Sequence, residues 1–467
     1  MTRAAVAVMV LGMKRFDAIV IGAGQAGPSL AVRLASSGRT VALVERNELG
    51  GTCVNTGCMP TKTLVASARA AHVARRAADF GVVIDGPVTI DMKRVKERAD
   101  TVIRNAREGL TRWIEGAAGC TLVRGHARFE SARTVRVGDE LLEADQVFVN
   151  VGARARVPNL KGVERVPYLT NTSMLEIDTL PRHLVVVGGS YVAIEYAQMY
   201  RRFGAEVTIV ERGPRLVGRE DPDVADAVRE ILEREGIRVQ VGAECIGLDT
   251  AANGIAVQVG GETTIEGTHV LLAVGREPNT GDLGLDRAGV EVDQRGYIVV
   301  DDRLRTNVPG IWAMGDCNGR GAFTHTSYNE FEVVASNVLD GEERTISDRI
   351  EAYALYMDPP LARAGMTETA ARRAGRKFLV GKRPMTRVGR AVERDETQGF
   401  MKILVDAETK ALLGAAFLGI EADEAIHGVL DVMYTRAPYT TLQRSVGIHP
   451  TVSELIPTIL GELAPAR

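Results

Sequence analysis

Apolar residues in this chain fall into short runs punctuated by glycine, and the runs alternate between strand-like blocks and helical spacing. Residues 16–21 form an apolar strand that breaks on Gly22-Ala23-Gly24-Gln25-Ala26-Gly27. Leu30, Val32 and Leu34 then follow a helical pattern that Gly38 stops, and residues 40–44 make a second strand leading to Glu45. Strand, glycine turn, helix, strand and acid, in that order, are what a dinucleotide site requires. Gly22 makes the tight turn, Gly24 lets a pyrophosphate approach the backbone, and Gly27 lets helix and strand pack closely. The helix start offers N–H groups to phosphate, and Glu45 suits a ribose hydroxyl pair.

A second unit repeats the order. Residues 184–187 lead into Gly188-Gly189-Ser190-Tyr191-Val192-Ala193, a helix to Phe203 and a strand ending at Glu211. Ser190 and Ala193 stand where the fingerprint prefers glycine, yet Glu211 follows Gly188 by 23 positions, as Glu45 follows Gly22. Glu211 would bind an adenosine ribose and repel a 2′-phosphate, whereas Arg212, with Arg215 and Arg219 nearby, suits that phosphate. NADH is favoured over NADPH by a narrow margin. From Ala354 the pattern changes: strands around residues 378–380 and 401–405 and helices near 423–436 and 453–462 predict an antiparallel sheet backed by helices. The fold class is α/β, with two Rossmann-like nucleotide-binding domains and a C-terminal α+β domain.

Composition narrows the partners. At 467 residues the chain exceeds a single hydrophobic core, and about three domains are expected. A formal net charge of −3 with no long basic run gives no footprint for nucleic acid or an anionic membrane, and no apolar run is long enough to span a bilayer. Five cysteines are too few for a disulfide scaffold, and their odd number argues against complete pairing. Residues 1–12 are apolar with a single Arg3 and lack a small-residue cleavage site before Met13-Lys14-Arg15. Residues 1–13 read as a disordered lead-in, or Met13 as the true start, and the protein as cytoplasmic.

The chemistry concentrates in Gly50-Gly51-Thr52-Cys53-Val54-Asn55-Thr56-Gly57-Cys58-Met59-Pro60-Thr61-Lys62. Two cysteines beside a nucleotide fold suggest electrons passing from a cofactor to a disulfide. On an ideal helix residues five apart differ by about 140° and ~7.5 Å along the axis, beyond the reach of a disulfide. Cys53 and Cys58 can bridge only across an irregular segment, and Asn55, Gly57 and Pro60 supply the irregularity. Pro60 is tolerated in a first turn, so a helix is expected to start near Cys58, where a thiolate is favoured. The competing reading is two ordinary buried thiols.

On these residues the chain resembles the class I flavoprotein disulfide reductases from about Lys14 onward. That family includes dihydrolipoamide dehydrogenase, glutathione reductase, mercuric reductase and a copper-reducing flavoprotein of reactive-chlorine resistance. Residues 306–316, ending in Met314-Gly315-Asp316, resemble its second FAD motif; Asn150-Val151-Gly152-Ala153 and residues 273–279, around Gly275, resemble its crossover turns; His449-Pro450-Thr451-Val452-Ser453-Glu454 resembles its acid/base motif. The resemblance implies FAD bound by Gly22, Gly24, Gly27, Glu45, Gly51, Thr52, Lys62, Gly152 and Asp316. It implies NAD(P)H bound by Gly188, Gly189, Tyr191, Glu195, Glu211, Arg212 and Gly275. Cys53 would attack substrate and Cys58 would exchange electrons with the flavin. Lys62, paired with Glu195, would lie near flavin N5, and Tyr191 would cover the nicotinamide pocket at rest. His449, oriented by Glu454, would come from the partner subunit of a homodimer. The implied domains are FAD-binding (14–157 and 282–345), NAD(P)H-binding (158–281) and dimerisation (346–467).

Other residues read more plainly. Thr451-x-x-Glu454 is also a capping box. Cys317 reads as a small buried filler rather than a flavin neighbour, and Cys120 and Cys245 as strand-edge packing. His72, His126, His183, His269, His325 and His427 show no ligand spacing, so no structural metal is expected. The acceptor is open. The tail after Leu460 carries no cysteine pair, and no GMTCxxC module precedes the first fold, against mercuric reduction; Gly447 replaces the first His of HxHPT, against dihydrolipoamide dehydrogenase. With Asp358-Pro359-Pro360, the pattern is nearest the mercuric-reductase-like, copper-reducing group. The expected function is NAD(P)H oxidation through FAD and Cys53–Cys58 to an acceptor such as a metal ion or reactive oxidant, with lipoamide as alternative and a non-catalytic redox sensor as a reading of another class.

Overall fold

The computed structural model describes residues 12–244, 246–252, 254–260 and 263–466. Most of the expected lead-in (1–11) and Cys245 lie outside the described residues. The chain forms two compact units. The first comprises the described part of Met1–Pro60 with Arg98–Ala155 and Arg276–Arg349; the second comprises Thr61–Glu97, Arg156–Gly275 and the chain from Ile350 on.

In the first unit, β1 (Met13–Ile21), β2 (Val41–Glu45), β3 (Cys120–Arg124), β4 (Ala127–Phe129), β5 (Thr134–Val137) and β6 (Glu140–Val149) form one sheet in the order β3-β2-β1-β6-β5-β4. The strand Ile311–Ala313 joins it parallel to β6. Strands β1, β2, β3 and β6 run parallel, β5 pairs antiparallel with β6, and β4 pairs antiparallel with β5. Alternate residues of β1 serve two cores: Ala18 and Val20 pack with Leu30 and Leu34, while Ile19 and Ile21 pack with Val44, Val147 and Val149. Burial on both faces explains why the run is almost continuously apolar. The strand starts earlier than its apolar stretch, because β6 is long enough to pair Met13, Lys14 and Arg15 with Leu141, Leu142 and Glu143. Met13 therefore belongs to the sheet and not to a lead-in. The helix α1 (Ala26–Ser36) buries Ala26, Gly27, Leu30, Ala31 and Leu34 and ends before Gly38, whose φ of 89° only glycine adopts freely. A short strand, β7 (Ala153–Ala155), pairs antiparallel with Arg276–Pro278.

In the second unit, β8 (His183–Val187), β9 (Glu206–Val210), β10 (Arg238–Gln240) and β14 (His269–Leu272) form a parallel sheet in the order β10-β9-β8-β14. An antiparallel sheet of β11 (Gly247–Ala251), β12 (Gly254–Val259) and β13 (Thr263–Gly267) accompanies it. Beyond Ile350 lies the expected antiparallel sheet, ordered Ala352–Leu355, Leu361–Gly365, Leu412–Leu418, Phe400–Asp406, Phe378–Pro384 and Ala464–Pro465. Its core takes in Val429 from helix His427–Thr435 and Ile459 from helix Ile456–Gly461. Among the described residues no helix is long and apolar enough to cross a membrane.

Buried ion pairs tie the pieces of the second unit together. Lys402, fully buried, places its ammonium 3.1 Å from Asp221, 2.8 Å from Asp223 and 2.8 Å from Glu368. Arg363 pairs with Glu220, and Arg202 bridges Asp358 and Glu235. Gln198 donates to the Asp358 carbonyl oxygen at 2.7 Å, and Arg69 reaches Asp358 at 2.6 Å and Glu396 at 2.8 Å. Burial alone would raise the Asp221 carboxyl, but the backbone amides of Thr369 and Glu368 and the Lys402 ammonium hold it below its ordinary value. Stability from this carboxylate is therefore present above the ordinary Asp range and lost as the pH falls through the lowered value.

Removing one partner of a buried ion cluster leaves uncompensated charge, so Lys402→Met is expected to destabilise this unit by about 3–5 kcal/mol. Arg229→Met, which breaks the exposed Arg229–Glu233 pair, is expected to cost under about 1 kcal/mol. Denaturant titration of both variants at neutral pH measures the difference.

Candidate functional site

The first nucleotide turn is built by close backbone approach. A Cβ on Gly22 would lie 2.3 Å from the Asn150 carbonyl oxygen, and one on Gly27 only 2.0 Å from the Gly22 carbonyl oxygen. Gly22 also has a φ of 100°. Gly24 faces Asn150 Oδ1, and a Cβ on Gly51 would stand 2.8 Å from Gly24 Cα, so the turn and the cysteine segment meet backbone to backbone. Glu45, at the end of β2, accepts from the amides of Ala23 (2.7 Å) and Asn47 (2.8 Å). The Gln25 side chain makes no cap on α1, and the first-turn amide of Gly27 is taken by Asn150 Oδ1 at 3.0 Å. On the other side of β6, Asp316 sits in a short helical turn after the strand Ile311–Ala313. Burial raises its carboxyl against the pull of Arg276, whose Nε is 3.3 Å away. That Nε is buried without an aligned hydrogen-bond acceptor, while the same guanidinium donates to Thr52 Oγ1 and the Ala153 carbonyl oxygen. Asn279 donates to the carbonyl oxygen of Gly152, which turns with a φ of 65°. A glycine cradle, two carboxylates and an orphaned buried donor fit a large polar ligand of the FAD kind.

The cysteine segment breaks as the spacing required. The helix α2 (Gly51–Asn55) holds Cys53, Thr56 and Gly57 interrupt, and α3 (Cys58–Arg75) starts on Cys58 with Pro60 in its first turn. A Cβ on Gly57 would meet the Thr52 carbonyl oxygen at 2.9 Å, so the interruption packs too tightly for a side chain. Asn55 fixes the segment by donating to the carbonyl oxygens of Leu49 and Gly51. Cys58 is exposed, and its Sγ lies 3.2 Å from Thr324 Oγ1.

In the second unit, the helix α5 (Tyr191–Phe203) follows Gly188-Gly189-Ser190. Gly188 has a φ of 118°, and a Cβ there would meet the Ala273 carbonyl oxygen at 2.4 Å. At Gly189 the obstacles are two side chains: a Cβ would come within 2.8 Å of Glu211 Cγ and of Leu216 Cδ2 and 2.9 Å of Glu211 Oε2. The Glu211 carboxylate thus lies against the glycine turn and accepts from the Gly213 amide. Arg212 is exposed, and Arg215 is engaged with Asp226 at 3.6 Å. Glu195, buried on α5, holds the Lys62 ammonium at 2.9 and 2.8 Å and accepts from the Tyr356 amide. The same ammonium stands 4.7 Å over the Tyr356 ring. Gly275 closes the second crossover turn, its carbonyl oxygen accepting from the Arg156 amide.

His449 is 79% exposed, and its Nδ1 is held by both Glu454 oxygens at 3.1 and 3.0 Å. The Glu454 amide donates to Thr451 Oγ1 at 3.2 Å, so the capping contact and the histidine pair coexist. Gly447 makes room for them: a Cβ there would lie 2.6 Å from Glu454 Cα.

Several polar residues of these sites were not singled out from the sequence. Asn150 accepts from the Gly27 amide and donates to the Met314 carbonyl oxygen, tying the first turn to the second FAD-like motif. Glu330, fully buried, accepts from the Gly315 amide and from Asn318 and so shapes the turn that carries Asp316. The signal for Asn150 was its place beside the crossover glycine; Glu330 carried none. Cys317 is buried in the core and its thiol is pushed up to about 12 by burial. Cys120 opens the edge strand β3. Among the described residues the one grouping with metal-like donors is Asp221, Asp223 and Glu368, and the Lys402 ammonium binds all three.

Residues 16–330 match the family described as pyridine nucleotide-disulphide oxidoreductase, and residues 352–459 match its dimerisation domain, which supports a homodimer. The probable pyridine nucleotide-disulfide oxidoreductase RclA of Escherichia coli K12 is 35% identical over 451 residues, covering 95% of this chain and 98% of the relative. Its solved structure, described as an HOCl-induced flavoprotein disulfide reductase, superposes with a TM-score of 0.88 at 33% identity, over 95% of this chain and 99% of that one. A Cu(II) complex of that relative has also been solved. A dihydrolipoyl dehydrogenase of Thermus scotoductus is 35% identical over 95% of this chain and 96% of its own length. A mercuric reductase of Bacillus cereus is 32% identical over 91% and 70%. The chain belongs to the pyridine nucleotide-disulphide oxidoreductases, FAD-dependent enzymes that use NAD(P)H.

Proposed function

We propose that this oxidoreductase takes electrons from NAD(P)H and delivers them by way of Cys53 and Cys58 to a metal ion or a reactive oxidant. The observation that carries the reading is the cysteine segment, with Cys58 at the first residue of α3 and Gly51 packed on the nucleotide turn. FAD, when bound, supplies the two-electron relay between a hydride donor and a disulfide. Gly22, Gly24, Gly27, Glu45, Gly51, Thr52, Lys62, Gly152 and Asp316 would hold it. Gly188, Gly189, Tyr191, Glu195, Glu211, Arg212 and Gly275 would hold NAD(P)H. The corresponding domains are 14–157 with 282–345 for FAD, 158–281 for NAD(P)H and 346–467 for the dimer.

In the reductive half, NAD(P)H and one proton convert the Cys53–Cys58 disulfide into two thiols. Lys62 contributes a positive charge fixed by Glu195. In the oxidative half with a disulfide, the Cys53 thiolate attacks one sulfur, and the partner's His449 returns a proton to the leaving thiol. Cys58 then closes on Cys53 and releases the second thiol. Glu454 orients the imidazole for this transfer. With Cu(II) as acceptor, two metal ions take one electron each, the two thiols lose their protons to solvent and the disulfide re-forms, leaving two Cu(I).

The Cu(II) complex of the E. coli relative supports a metal acceptor, and the Gly447 packing supports it against lipoamide, since the dihydrolipoamide dehydrogenase histidine has no room there. Lipoamide remains the second reading because the Thermus relative is equally identical. The Lys62–Glu195 and His449–Glu454 pairs argue against a sensor, which needs neither. NADH is favoured because the Glu211 carboxylate lies in the glycine turn while Arg215 is engaged elsewhere.

Anaerobic oxidation of NADH and NADPH with lipoamide, glutathione disulfide, Hg(II) and Cu(II) tests the acceptor. Fast metal reduction with little disulfide turnover is expected, and fast lipoamide turnover overturns the choice. Cys58→Ser is expected to keep FAD and drop turnover to background; unchanged rates sink the disulfide route. Glu211→Ala removes a charge-assisted hydrogen bond to ribose and is expected to shift the NADH/NADPH ratio of kcat/KM toward NADPH by about tenfold or more.

A further inference from the structure

Tyr191, the first residue of α5, is not held by packing alone. Its ring meets the Tyr353 ring edge to face, with centroids 5.4 Å apart and planes at 65°, and the two phenols are hydrogen-bonded. Tyr353, buried on the strand Ala352–Leu355, donates its own proton to Glu220 Oε1 at 2.7 Å. Glu220 is buried, and Arg363 Nε donates to its other oxygen at 3.1 Å. An ionised carboxylate only accepts, so the one Tyr353 proton is committed to Glu220 and the Tyr353 oxygen is left to accept from Tyr191. The bonds therefore run in one direction: Tyr191 to Tyr353 to Glu220, with Arg363 holding the far end.

The geometry points to Tyr353, Glu220 and Arg363 as positioning residues that latch Tyr191 over the nicotinamide end of the NAD(P)H site. This inference rests on the proposed role of Tyr191 as the resting cover of that pocket. Arg363 neutralises Glu220, and a phenylalanine ring would fill the space of Tyr353 equally well. The Tyr353 hydroxyl is thus dispensable for packing and accepts from Tyr191 in the closed position. A bond made only when the cover is closed lowers the open fraction, and the apparent affinity for nucleotide falls by that fraction. The latch sets how much nicotinamide nucleotide is needed to open the site, without touching the nucleotide itself.

The test is titration of the oxidised FAD-loaded protein with NAD+ and NADP+, together with anaerobic flavin reduction by NADH and NADPH. Wild type, Tyr353→Phe, Tyr191→Phe and the double variant are compared. Each single variant is expected to tighten the apparent Kd for the preferred nucleotide by about fivefold, the worth of one ordinary hydrogen bond. The double variant should add nothing further, because either change removes the same bond. An unchanged Kd in Tyr353→Phe, or single effects that sum in the double variant, overturns the latch. Tyr191→Phe leaves the Tyr353–Glu220 bond intact and carries the test alone if Tyr353→Phe lowers the melting temperature; an unchanged Kd there overturns the latch too. Wild-type protein that binds neither nucleotide, with no flavin reduction, overturns the proposed function itself, and the latch with it.

Discussion

The tightest constraint in the first unit is the 2.0 Å that a Cβ on Gly27 would leave to the Gly22 carbonyl oxygen. Such an approach is possible only between bare backbones, and it brings the start of α1 down on the end of β1. From that contact the rest of the cradle follows. Asn150 can reach the Gly27 amide because helix and strand are this close, and its other end fixes Met314 beside the Asp316 turn. Gly51 packs on Gly24 and draws the cysteine segment to the same place. A side chain at either glycine would separate the nucleotide site from the thiols.

The second unit is held differently, by charge. Lys402, Arg363 and Arg202 are all buried against carboxylates from distant parts of the chain. Hydrophobic residues of similar volume would often stabilise as much. What the ion pairs add is definition: each has one geometry, and slipping a strand by a residue would leave a charge unpaired.

Much of this was legible in the sequence because it is local. The glycine turns, Glu45, Glu211, the irregular stretch between Cys53 and Cys58 and the His449–Glu454 pair all depend on residues close in the chain. Cys317 was readable as filler because a free cysteine behaves as a small, readily buried residue. What escaped was long-range. Glu330 looks like any helical glutamate until the Gly315 amide is placed against it, and the Tyr353–Glu220 bond joins residues 133 positions apart. Met13 was misplaced for the same reason, since its strand is defined by β6 rather than by its own composition.

The contact between Gly189 and Glu211 links two positions 22 residues apart in the chain. Because the Glu211 and Leu216 side chains occupy the space that a side chain at 189 would need, position 189 is coupled to both. A larger residue at 189 needs both the Glu211 and the Leu216 side chains to give way, and once 189 has grown, a return to glutamate at 211 meets it. The order of substitutions, and not only their sum, therefore determines which nicotinamide sites descendants of this chain can reach.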